Sequence, residues 1–181
     1  MKLLTLLLIP VFCFTQDDSS FYKIPFKENT IVYEKVFYLD SINDYNKVFN
    51  AVKSALIKNT NYKYTKIDED RTSGNISTEI SFPFSAKSGI IRVNFSAKTL
   101  LSIDVKPNRF RVRLYNNNAS FIVMGETLNL EMAEAYKSEA EQIKKNKWKQ
   151  QKSVVIPWSE KLELILNGFG FLINKGVDDD F

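Results

Sequence analysis

Carboxylates and guanidinium groups are the side chains through which this sequence can do chemistry, because imidazole is missing and thiol nearly so. The chain of 181 residues has no histidine and a single cysteine, Cys13. Histidine is the side chain that titrates near neutral pH, and a thiolate is the most readily activated nucleophile. Without them there is no Ser-His-Asp triad, no Cys-His dyad and no zinc site of the usual nitrogen–sulfur type. A pair of carboxylates working as in glycoside hydrolysis remains open, with candidates among Glu34, Asp68, Glu69, Asp70, Glu79 and Asp104. Nothing in their spacing brings two of them to one cleft. The six glycines are not spaced as a phosphate loop, and Asp178–Asp180 lacks the spacing of a calcium loop. Ser20 and Lys23 match Ser-x-x-Lys, but the companion motifs of that catalytic class are missing and the pair is read as chance. No cofactor and no metal are expected.

Arginine offers the other chemistry. Alternation along strands places Arg92, Lys98, Lys106, Arg109, Arg111 and Arg113 on one sheet face, with Glu79 and Asp104 as the acids there. Guanidinium forks of Arg92, Arg109, Arg111 and Arg113, with the ammonium of Lys98, would suit phosphate, sulfate or a carboxylated glycan. The plainer reading is a solvated face whose charges pair across strands.

The elements that would position these groups can be read from periodicity. Ile31–Leu39 is β-branched and aromatic and predicts a strand. A helix follows, introduced by Ser41 and Asp44 in the manner of a capping box, with Tyr45, Val48, Phe49, Val52, Ala55 and Leu56 on one face. Asn59-Thr60-Asn61 closes it, and a weak strand is expected over 62–68. Ile76, Ile80, Phe82 and Phe84 then alternate with Asn75, Ser77, Glu79 and Ser81. From Ile91 to Val105 the odd positions are mostly apolar, which predicts one long bent strand or two in line. With Pro107-Asn108 as the turn, Val105 faces Phe110, Ile103 faces Val112, Leu101 faces Leu114 and Asp104 faces Arg111. A slip of one residue would destroy every one of these pairs. Asn116-Asn117-Asn118 is read as the end of this hairpin and Phe121–Met124 as a short edge strand.

The last third predicts two helices. In the first, Glu131, Glu134, Glu139 and Glu141 precede Lys144, Lys145, Lys147, Lys149 and Lys152, as the helix dipole favours, and Glu141 with Lys145 has the spacing of an ion pair. Met132, Tyr136, Ala140 and Ile143 form its apolar side. The basic run is read as a solvated helix end rather than a polyanion or membrane contact. In the second, Trp158, Leu162, Ile165, Leu166, Phe169, Leu172 and Ile173 share a face; it is read as a cover for the sheet rather than an interfacial helix, although Gly168 and Gly170 weaken its end. The fold class is α+β: a curved antiparallel sheet in β-α-β-β-β-β order with helices packed on one face.

The chain opens Met1-Lys2 and continues with an apolar run to Phe14, too short to span a bilayer and patterned as a secretory signal. Cleavage is expected after Thr15. Lipid attachment at Cys13 is the lesser reading, because the bulky Phe12 precedes it. The expected organisation is a signal peptide over 1–15, a flexible leader over 16–29, the sheet domain over 30–124, C-terminal helices over 125–175 packed on that domain, and an acidic tail over 176–181. The net charge of +4 is mild. It argues, with export, against a nucleic-acid partner.

Residues 30–115 resemble the DUF4468 family, a domain of unknown function described as having a TATA-binding-protein-like fold. The strand Ile31-Val32-Tyr33-Glu34-Lys35-Val36 leading into a helix carries the resemblance, as do the run from Asp68-Glu69-Asp70 to Gly74-Asn75-Ile76 and the turn from Ile103-Asp104-Val105-Lys106 into Arg109-Phe110-Arg111. The resemblance implies that fold and an exported bacterial protein, and carries no catalytic residues. The functional expectation is a binding or assembly module in the periplasm, at the envelope or secreted, with an anionic polymer or an envelope protein as partner. Two other readings stand beside it: a carboxylate-dependent hydrolase acting on a glycan or other polymer, and a purely structural envelope protein.

Overall fold

The structure is a computed structural model that describes residues 24–39, 43–59, 61–88, 91–145 and 153–178. The expected signal peptide with Cys13, the Ser20–Lys23 pair, Ser41, the basic run beyond Lys145 and the end of the acidic tail lie outside the described residues.

Three long antiparallel strands form the centre: β6 (Asn75–Ser88), β7 (Ile91–Lys106) and β8 (Arg109–Val123). Their registers place Ile103 opposite both Ile76 and Val112, and Leu101 opposite both Thr78 and Leu114. The Pro107-Asn108 turn fits, with Lys106 opposite Arg109 and Val105 opposite Phe110. Ile76, Ile80, Phe82, Leu101, Ile103, Val105, Phe110, Val112 and Leu114 are buried on one face. Period-two alternation with one face buried is what holds this register.

Around this core, β3 (Tyr33–Tyr38) pairs with β8 over Arg109–Leu114, and β9 (Glu126–Glu131) pairs with β8 over Asn118–Val123. The two therefore lie end to end along one side of β8. On the far side, β4 (Lys63–Tyr64) and β5 (Asp68–Asp70) pair with β6, completing a seven-stranded sheet. A separate ribbon joins β1 (Phe26–Lys27) to β2 (Thr30–Ile31).

Helices α1 (Tyr45–Lys58), α2 (Met132–Lys144) and α3 (Val155–Asp178) pack on the apolar face. Val48, Phe49, Val52, Ala55 and Leu56 of α1 are buried there, as are Trp158, Leu162, Ile165, Phe169 and Ile173 of α3. The glycine that weakens α3 on propensity is required by packing: a Cβ at Gly170 would overlap the ring of Phe37. That ring is stacked on Phe110, with centroids 5.0 Å apart. The two C-terminal helices are locked by Glu139. Its carboxylate accepts from Ser153 Oγ at 2.5 Å and from the N–H of Val154 at 2.8 Å, at the start of α3.

Several expectations need correction. The N-cap of α1 is Asp44, whose carboxylate accepts from Asn46 N–H at 2.9 Å. The asparagine run does not end the hairpin. Strand β8 continues because Asn116 adopts the left-handed conformation (φ 53°) and the ladder shifts there, a bulge that asparagine tolerates. Phe121–Val123 is accordingly the end of β8 rather than a separate strand. Residues 126–131, assigned to the helical part, form β9, so the sheet extends past the expected boundary at 124. The expected leader over 16–29 has a structured end, where Ile24 is buried and Phe26 packs on Tyr136 with centroids 4.9 Å apart. The weak strand at 62–68 is two short strands. Ile91, expected inside, is exposed.

Candidate functional site

The second face of the sheet has no helix against it among the described residues. Registers arrange its side chains in cross-strand rows. The first row, at the Pro107-Asn108 turn, is Tyr38, Arg109 and Lys106. The second is Val36, Arg111, Asp104, Asn75 and Asp70. The third is Glu34, Arg113, Ser102, Ser77 and Asp68. Cations thus gather on β8 and acids on β5.

Asp104 is the hub of this surface. Its Oδ2 accepts from Arg111 Nε at 3.0 Å and Nη2 at 2.8 Å, and Arg113 Nη2 lies 3.0 Å away. Its Oδ1 accepts from Asn75 Nδ2 at 2.8 Å. Partial burial works to raise its pKa. The Asn75 and Arg111 hydrogen bonds and the two guanidinium charges outweigh that and hold it below the ordinary carboxylate range. Arg111 reaches a second acid, Glu34, at 3.7 Å. Glu34 was not expected on this face. It shares a face with Val36 and Tyr38 in β3, but the pairing of β3 with β8 is non-local and leaves no local sign. Arg113 Nε is enclosed without an acceptor among the described residues.

The five cations singled out by sequence do not form one cluster. Arg111 and Arg113 meet over Asp104. Arg109 stands one row beyond, beside Lys106 and Tyr38, with no acid in that row. Lys98 pairs with Glu79 at 3.3 Å. Arg92 sits opposite Lys87 at the other end of β7, fourteen positions from Lys106 and so roughly 45 Å from Arg109 at the usual strand rise. The face can therefore offer an anion Arg109, Lys106 and the exposed part of the Arg113 guanidinium, whose Nη2 is held by Asp104, while Arg111 and Lys98 are held by acids.

Each of the six carboxylates meets a cation or a hydrogen-bond donor. Beyond Glu34, Asp104 and Glu79, Glu69 meets Lys53 at 2.8 Å and Asp68 meets Lys66 at 2.9 Å. Asp70 accepts from Ser73 Oγ at 2.8 Å and Thr72 N–H at 2.9 Å in its turn. Glu34 and Glu163 do line one depression of about 420 Å³, with Tyr33, Leu166 and Asn167. Its floor is structural: Tyr33 Oη is 2.6 Å from Ser159 Oγ, and burial pushes the phenol up to about 12. Among the described residues no group of three or more acidic, histidine or cysteine side chains could hold a metal ion.

An uncovered antiparallel sheet with its helices on the opposite face defines the class: the chain has a TBP-like α+β fold. A TBP-like protein from Parabacteroides distasonis has a solved structure similar to it, with a TM-score of 0.64 at 11% identity, over 84% of this chain and 97% of that one. The structure of a DUF4468 family protein from Bacteroides ovatus is similar with a TM-score of 0.54 at 12% identity, over 90% and 95% of the two chains. These likenesses bear out the fold expected from the sequence. No family model and no curated protein matches the chain.

Proposed function

We propose that this chain is an exported binding or assembly module that grips its partner on the uncovered face of the sheet. The single observation that supports this most is the arrangement around Asp104: one carboxylate holds two arginines rigid on an open face, with Arg109 and Lys106 unopposed beside them. Side chains fixed in this way bind with less loss of rotamer freedom than mobile ones. The chemistry favours an anionic partner, either a sulfated or phosphorylated polymer or an acidic patch on an envelope protein. Arg109 and Arg113 make the direct contacts, and Arg111 acts by positioning Asp104.

The test is binding of heparin and of long-chain polyphosphate to the full chain and to an Arg109→Ala/Arg113→Ala variant at low salt. Loss of two charged contacts of about 1 kcal/mol each lowers affinity by roughly tenfold or more, and flattens its salt dependence. Equal affinity of the two proteins refutes the reading. Export is tested separately by expressing the chain in a bacterial host and measuring the mass of the protein outside the cytoplasm. The expected product lacks residues 1–15, and an intact chain confined to the cytoplasm counts against export.

A further inference from the structure

Among the described residues, five of the ten large apolar side chains exposed to water lie together at one end of the sheet, while Val36, Tyr38, Ile57, Leu164 and Phe171 are spread over α1, α3 and β3. Ile91, Ile122, Val123, Met124 and Leu128 belong to the outer ends of two neighbouring hairpins, β6–β7, whose ladder ends at Ser88–Ile91, and β8–β9, whose ladder ends at Val123–Glu126. Met124 is 101% exposed, Ile122 73% and Ile91 63%. Scattered single residues of this kind need no explanation, but a group does.

Local conformation sharpens the point. Met124 and Gly125 connect β8 to β9 with φ of 51° and 87°. Two consecutive positive values are those of a type I′ loop, which Asn-Gly closes with least strain. A methionine in the left-handed region is strained, and one wholly in water gains nothing from folding. Its apolar character is therefore useful only towards something outside the molecule.

The geometry points to a lipid surface as that something. The apolar groups occupy both sides of the hairpin. Ile122 lies on the uncovered face, Val123 and Leu128 lie on the helix-bearing face, and Met124 is at the apex. A protein groove contacts one side of a strand pair, whereas acyl chains surround an inserted tip. Lys87 and Arg92 face each other near the end of β6–β7, both exposed, against a single acid, Glu126, at the neighbouring tip. Apolar tips flanked by excess cation match an anionic bilayer surface. We propose that this end of the sheet dips into the headgroup–acyl boundary of a membrane containing anionic lipid, with Lys87 and Arg92 against the phosphates. Among the described residues no helix is long and apolar enough to cross a membrane; the contact is peripheral and made by strands. It uses a different end of the sheet from the Asp104 surface and stands independently of it.

The experiment is co-sedimentation of the full chain with vesicles of phosphatidylglycerol and phosphatidylcholine, and with vesicles of phosphatidylcholine alone. The expected result is preferential binding to the former. Ile122→Thr/Met124→Asn lowers that binding about tenfold or more, as loss of two inserted apolar side chains requires. Lys87→Gln/Arg92→Gln removes the preference for phosphatidylglycerol. Met124→Asn alone keeps or raises the thermal midpoint, because asparagine suits the turn, so a loss of binding is not a loss of fold. Met124→Trp reports the tip directly, apart from any contribution of the apolar N-terminal run: its emission shifts to the blue with vesicles and is quenched by brominated acyl chains. Equal vesicle binding by the chain and the Ile122→Thr/Met124→Asn variant overturns the proposal, as does a Met124→Trp signal that stays in water. Self-association abolished by the same double variant, without vesicle binding, also overturns it and makes this end an interface between copies.

Discussion

The same substitution two residues apart in α3 should have opposite effects. Gly168→Ala adds a Cβ with nothing within 4 Å, so only helix propensity changes, and the protein gains about 0.8–1 kcal/mol. Gly170→Ala gains the same propensity but drives its Cβ into the Phe37 ring, where three ring carbons already occupy the space. The ring cannot retreat without giving up its stack on the fully buried Phe110, at 5.0 Å and 15°. Overpacking of this kind costs about 1–3 kcal/mol, and a lost aromatic stack adds about 0.5–1.5 kcal/mol. The net is a destabilisation of roughly 1–3 kcal/mol. Urea denaturation of the two variants and the parent measures both signs. Phe37→Leu in the Gly170→Ala background should recover part of the loss, a non-additivity that ties the effect to this contact. If Gly170→Ala is as stable as Gly168→Ala, the packing of α3 on β3 is not as described and the reasoning fails.

Two carboxylates should tilt the pH dependence of stability in opposite directions. Asp104 has its pKa lowered in the folded state, so its contribution is present above the ordinary carboxylate range and is lost as pH falls through its folded value. Asp104→Asn should cost about 1 kcal/mol near neutrality, as befits a part-exposed network, and should flatten the acid limb of a thermal-midpoint profile. Glu139 has its pKa raised, because burial outweighs the donors from Ser153, Val154 and Val155. The folded state therefore holds its proton more firmly than the unfolded chain, and stability falls as pH rises from the ordinary carboxylate range through the folded value. Glu139→Gln should remove that slope. Glu139→Ala leaves buried donors unpaired at the start of α3 and should cost about 2–4 kcal/mol by chemical denaturation.

Much of the architecture is legible in the residue order, and for a definite reason. Where one face of a strand is buried and the other is wet, side chains must alternate, so Leu101, Ile103 and Val105 announce both their own strand and their partners across Pro107-Asn108. Helical spacing does the same for Val48, Phe49 and Val52 and for Trp158, Leu162 and Ile165. Strand β9 escaped because its side chains are largely exposed on both faces. The signal that would have found it is slight: Gly125 followed by the alternation Thr127-Leu128-Asn129-Leu130. The bulge at Asn116 escaped because asparagine both ends strands and permits the left-handed backbone that lets one continue. The arginine-rich face was half legible. Local register placed Asp104 against Arg111, while the contributions of Glu34 and Asn75 depend on strands far away in the chain.

Periodicity and turn chemistry, both short-range properties, thus settled the sheet's central registers and the buried faces of α1 and α3, while composition alone excluded histidine chemistry. Only the folded chain decided which charges neutralise each other, which arginine is left unopposed, that a helix glycine is needed to admit Phe37, and that five apolar side chains share one end of the sheet. Those are properties of distance between residues remote in sequence, and chain order carries distance only within a turn or a hairpin.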